Sequence, residues 1–111
     1  MEVLVASHAP HVAVAHLEGR LDLLSARDVR ARLTEIVAAG QDRLVVDLAK
    51  VPFIDSSGLG ALISVLKATR QAGGDLRIAC PDDQPLTVLK LTTLDRVLKP
   101  YATIEEALTG L

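Results

Sequence analysis

Apolar and small or polar positions alternate along "HVAVAHLEG", where Val12 and Val14 lead to Ala15 and Leu17 and the run stops at Gly19. Period-two alternation predicts a strand. Upstream, "MEVLVAS" has the composition of a hairpin partner joined through "HAP". The period then changes: Val29, Leu33, Ile36 and Val37 form a stripe, with Arg27, Arg30, Arg32 and Glu35 mostly outside it. Ser25 precedes the stripe and Gly40 follows it, which predicts an amphipathic helix with Ser25 as N-cap and Gly40 as the stop.

"RLVVDL" is β-branched and apolar on both faces, as expected of a strand buried between layers of a largely parallel sheet. From Ser57 onward Leu59, Leu62, Ile63 and Leu66 recur at helical spacing until Gly73 and Gly74 end the run. "DLRIAC" is another strand, closed by Pro81. Leu86, Val88, Leu89 and Leu91 predict a short helix over about residues 85–91. "RVLKPY" holds a brief edge strand, because Pro100 has no N–H for a ladder. Thr103 and Glu106 stand at capping-box spacing before a last short helix.

Strands and helices in alternation predict an α/β fold: a four- to five-stranded mixed, largely parallel sheet with about four helices packed against it. The 111 residues suit one domain, 1–111, since a chain of this size buries roughly two thirds of its unfolded surface. Half the residues are hydrophobic and only 2% aromatic, so the core is aliphatic and few rings are available to stack on bases. A net charge of −2 leaves no basic footprint for nucleic acid. The lone Cys80 excludes an internal disulfide and a cysteine-rich zinc site. No apolar run is long enough to span a bilayer and no signal-peptide layout is present, so a soluble cytoplasmic protein is expected.

The chemistry concentrates in "FIDSSGLG", residues 53–60, at a strand-to-helix junction. Several readings fit it. Asp55 or a serine caps the helix, while Gly58 and Gly60 allow close packing. A catalytic serine needs a base, and His8, His11 and His16 all precede the motif, without the flanking glycines of a nucleophile elbow. A phosphate cradle at the helix start lacks Walker spacing and a following Lys. A phosphate acceptor uses the same helix-start N–H groups, and a phosphate on Ser56 would bring a charge of about −2 to the junction. The histidines form no metal set, since neither Cys nor carboxylate completes one.

"LEGRLDLLSA" (17–26), "VVDLAKVPFIDSSGLGALISVLKATRQAGGDLRIA" (45–79) and "TIEEAL" resemble the STAS domain of bacterial anti-sigma factor antagonists, over nearly the whole chain. The resemblance implies a partner switch rather than an enzyme. The unphosphorylated protein binds an anti-sigma factor that is also a serine kinase and frees a sigma factor; phosphorylation of Ser56 reverses this, and a PP2C-type phosphatase resets it. It further implies a partner-facing surface of Asp22, Asp55, Ser57, Gly58 and Leu59, with Asp22 alternatively a plain turn residue. No cofactor or metal is implied, and a monomer is favoured. The rival is a STAS scaffold or a transport or lipid-trafficking subunit unconnected to a sigma factor. One departure stands out: Thr93 occupies a position where the family often has Gly, which implies a different turn after the third helix.

Overall fold

The computed structural model describes residues 1–111. Its single mixed sheet has the order β1 (Glu2–Ala9), β2 (Val12–Glu18), β3 (Arg43–Lys50), β4 (Asp75–Ala79) and β5 (Pro100–Tyr101). β1 is antiparallel to β2, and every later pairing is parallel. The connections carry α1 (Ala26–Ala38), α2 (Ser56–Gln71) and α3 (Asp83–Leu91), and α4 (Ile104–Leu108) follows β5. This is the mixed, largely parallel α/β sheet with four helices that the periodicity predicts. No helix is long and apolar enough to cross a membrane.

The two faces of the sheet are covered unequally. Ala13, Ala15 and Leu17 of β2 join Leu44, Val46 and Leu48 of β3 in the main core, where α1 adds Val29 and Leu33 and α2 adds Leu62 and Val65. On the other face Val14, Val45 and Ala79 form a smaller cluster with Ala107 of the short α4, flanked by the partly buried Ile104, Leu108 and Tyr101. Within β2 the small Ala13 and Ala15 face the main core and Val14 faces the second cluster. An inner strand buried on both sides leaves no polar phase to mark which face is which.

Helix ends show where local rules hold. Thr103 caps α4 by accepting from the Glu106 N–H (3.1 Å), as its spacing predicts. Ser25 precedes α1 but makes no side-chain cap bond. Leu91 falls on the outside of α3 rather than in its apolar stripe, with 79% of its surface exposed.

Thr93 corrects the expectation of an altered turn. It adopts the left-handed conformation itself, at φ 58°, directly after α3. The geometry that glycine normally supplies past a helix end is thus kept, at the cost a β-branched residue incurs there. Left-handed backbone costs an L-residue roughly 1–2 kcal/mol. Glycine recovers most of this less its own chain entropy, so Thr93→Gly is expected to stabilise the protein by about 1 kcal/mol. A thermal melt checks it, with a rise of about 4–8 °C expected.

Gly60 has no comparable reason to be glycine. It lies inside α2, and a Cβ built on it meets no atom within 4 Å. Glycine inside a helix costs roughly 0.5–1 kcal/mol relative to alanine. Gly60→Ala is therefore expected to raise the thermal midpoint by a few degrees, read by circular dichroism.

Candidate functional site

Past the ends of β2 and β3 the two chains keep running side by side. The Gly19 N–H donates to the Lys50 carbonyl (3.0 Å), the Leu21 N–H to that of Phe53 (2.9 Å), and the Asp55 N–H to that of Leu21 (3.3 Å). Leu21 and Ile54 form a parallel bridge and are both buried. This extension brings the segment before α1 and the segment before α2 together beyond the carboxyl ends of parallel strands, where open α/β sheets usually place their sites.

Asp55 holds the two segments with one carboxylate. Its Oδ1 accepts from the Gly58 N–H (2.9 Å), capping α2, and its Oδ2 accepts from the Leu23 N–H (3.1 Å) in the facing loop. The cap reading of the motif is thus correct for Asp55 and includes a second bond across the site. Gly58 lies against the Leu21 carbonyl so closely that a Cβ would overlap it. Ser56 and Ser57 occupy the first two helical positions, whose N–H groups have no intrahelical acceptor. Ser56 is exposed and Ser57 half-buried.

The facing loop is built by short-range polar bonds. Asp22 Oδ1 accepts from the Leu24 N–H (3.0 Å), so Asp22 is a turn residue in the loop that faces the start of α2. Ser25 explains its missing cap bond: its Oγ accepts from the Asp22 N–H (3.1 Å) and donates to the Arg20 carbonyl (2.7 Å). The Arg20 guanidinium stacks 4.1 Å from the centre of the Phe53 ring and reaches Asp22 Oδ2 at 3.5 Å. Leu23 and Leu24, at the crest of this loop, expose 74% and 89% of their surfaces.

Of the partner-facing set, the structure brings Asp22, Asp55 and Ser57 to one accessible end. Gly58 and Leu59 face inward instead; Leu59 is 5% exposed and packs in the main core, since it lies on the apolar stripe of α2. Their place in the motif is to seat the helix.

One residue of this site escaped the sequence reading. Gln84 of α3 accepts from the Ile54 N–H through Oε1 (2.8 Å) and donates from Nε2 to the Ile54 carbonyl (2.9 Å). Its side-chain amide takes the position of a neighbouring strand. No local pattern flags a glutamine 30 residues away; only its place in the first turn of a helix after a parallel strand hints at it.

Two of the three histidines are bonded away from the serines of the motif. His11 Nδ1 bonds the Gly40 carbonyl (2.8 Å) and His16 Nδ1 bonds Asp47 (2.7 Å), so neither histidine hydrogen-bonds a serine of the motif. His16 and Asp47 sit on the second face of the sheet, between residues whose neighbours fill the main core. Burial, with the Asp47 and Glu105 carboxylates adding to it, pushes the Cys80 thiol above its ordinary value. A thiol so held stays protonated at neutral pH and is a poor nucleophile.

The family model of the STAS domain matches residues 4–107. Among sequence relatives, the anti-sigma-F factor antagonist RsfB of Mycobacterium tuberculosis is 32% identical over 111 residues, covering 97% of this chain and 87% of the relative. A Thermotoga maritima relative is 36% identical over 74 residues, covering 67% of this chain and 66% of its own length. Among solved structures, an anti-sigma factor antagonist from Mycobacterium paratuberculosis superposes with a TM-score of 0.86 at 28% identity, covering 97% of this chain and 91% of that one.

Proposed function

Because this chain belongs to the STAS domain family, among relatives named anti-sigma factor antagonists, we propose that it is a phosphorylation-controlled partner switch acting on an anti-sigma factor. In the unphosphorylated state it binds an anti-sigma factor that is also a serine kinase, and the sigma factor held by that protein is released. Phosphorylation of Ser56 ends the interaction, and a PP2C-type phosphatase restores it. The protein works in the cytoplasm, as a monomer and without a cofactor, as substrate and binding surface rather than enzyme.

The observation that carries this reading is the setting of Ser56. Its side chain is exposed at the first position of α2, on a backbone fixed from both sides by Leu21 and Gln84. The free helix-start N–H groups and the positive end of the helix dipole tolerate an added phosphate. A modification there changes the charge of the surface without requiring the fold to move. A phosphate on Ser56 adds negative charge beside the Asp55 carboxylate and so changes the surface against any partner fitted to the unmodified one.

The test is transfer of labelled phosphate from Mg-ATP by a candidate anti-sigma kinase, with the modified residue located by mass spectrometry. Ser56→Ala is expected to bind that kinase and to take up no label, and a PP2C-type phosphatase is expected to remove the label from the wild type. Label on Ser57 or Ser25 that persists in Ser56→Ala refutes the assignment. Ser25 is the poorer candidate because its hydroxyl is bonded to the Arg20 carbonyl.

A further inference from the structure

A groove of about 470 Å³ runs between α1 and α2 from the acceptor site outward. Leu23 stands at its mouth, Arg27 and Arg30 form one wall, Ser57 and Ser64 border the other, and the floor is made of the small residues Ala26, Gly60 and Ala61. No carboxylate lines it. Neither Arg27 nor Arg30 takes part in an ion pair; the three in the structure use His16, Arg20 and Arg70. In a chain with net charge −2 this is a local concentration of unpaired positive charge next to a leucine with three quarters of its surface in water.

Gly60 gives the groove its meaning. Gly58 is required by the fold, since a side chain there would strike Leu21, but Gly60 answers to nothing inside the molecule. A glycine that weakens its own helix and leaves open space above it suits the close approach of a second backbone. Small residues on the floor, guanidinium groups on one wall and an exposed leucine at the mouth together describe the occupant.

We infer that the groove takes an amphipathic helix of the anti-sigma factor, with its carboxylate-bearing flank on Arg27 and Arg30 and an apolar side chain lodged over Gly60 beside Leu23. The inference rests on the function proposed above and specifies how the partner is chosen. Ser56 decides whether the surface is open, and the groove decides which protein fits it. Asp55 couples the two, because the carboxylate that caps α2 also holds the Leu23 N–H at the groove mouth.

The test uses the anti-sigma kinase that labels Ser56, titrated against the full chain and its variants by isothermal titration calorimetry. Gly60→Leu fills the groove from a position with room for it and is expected to weaken binding more than about tenfold. The double variant Arg27→Glu/Arg30→Glu is expected to lose about thirtyfold or more at low salt, and less at high salt. Lys90→Glu on the exposed side of α3 is expected to leave affinity unchanged. If Gly60→Leu melts below the wild type, the double arginine variant decides alone. Wild-type affinity in the groove variants, with Ser56 still labelled, overturns the groove inference while leaving the proposed function standing. A wild type that self-associates, and becomes monomeric as Gly60→Leu, shows a second copy as occupant and overturns it too. Failure of every candidate anti-sigma kinase to bind or label the wild type removes the proposed function and this inference with it.

Discussion

Ser56→Asp is expected to weaken binding to the cognate anti-sigma factor about a hundredfold, which corresponds to about 2.7 kcal/mol. Opposing a charge in a desolvated contact typically costs about 2–5 kcal/mol, so one carboxylate suffices. The size of the effect follows from where Ser56 stands. Ser56 directly follows the Asp55 carboxylate, which caps α2 and is in no ion pair, so a second carboxylate there adds to charge already present at the helix start. Ser56→Asn separates charge from size, and it is expected to bind within about threefold of the wild type if charge is what matters. Thermal melts of both variants are expected to stay near the wild type, because the Ser56 side chain is exposed and makes no internal bond that its replacement could break. Equal affinity for Ser56→Asp and Ser56→Asn would place the switch outside electrostatics.

Gly58→Ala carries the largest expected effect on the fold. The added methyl would overlap the carbonyl of Leu21, a backbone atom with little room to yield. Overpacking of this kind costs typically about 1–3 kcal/mol, and a backbone obstacle puts Gly58→Ala in the upper part of that range. For a domain near this size each kcal/mol lowers the midpoint by about 4–8 °C, so a drop of about 10 °C or more is expected. The loss does not stay local. Leu21 accepts the Asp55 N–H, and Asp55 in turn holds Gly58 and Leu23, so displacing Leu21 loosens both segments of the site. Gly60→Ala, two positions along, is the matched contrast: the same chemical change with the opposite sign. Equal melting of the two variants would contradict the packing described here.

Most of the architecture was legible because the signals are periodic. Alternation marked β2 and with it β1 as its hairpin partner, apolar runs marked β3 and β4, and the Leu59 to Leu66 stripe with Gly73 beyond it marked α2. Asp55 was legible as a cap, since its composition and place before a stripe are local facts. What stayed hidden depends on pairs distant in sequence. Ser25 has every local mark of a cap, yet its hydroxyl is drawn to Arg20 and Asp22 by a turn that only the completed loop creates. Gln84 reaches Ile54 across 30 residues. The family resemblance puts Leu59 on the partner-facing surface, while the helical stripe that also contains it points inward, and the stripe is what holds. Gly58 and Gly60 look equivalent in the string "GLG", and only what surrounds them makes one obligatory and the other free. Thr93 shows the reverse error: an unusual residue suggested an unusual turn, and the tertiary structure imposed the ordinary one.

The clamp on Ile54 limits how this end of the molecule can be read. With Leu21 bridged on one side and the Gln84 amide bonded on the other, the backbone before Ser56 has no open edge on which another protein could lay a strand. Any enzyme that modifies Ser56 therefore has to accept it on the first turn of a formed helix, not in an extended peptide. A synthetic octapeptide "FIDSSGLG" carries the right letters but lacks the carbonyl of Leu21, the amide of Gln84 and the turn that they hold in place.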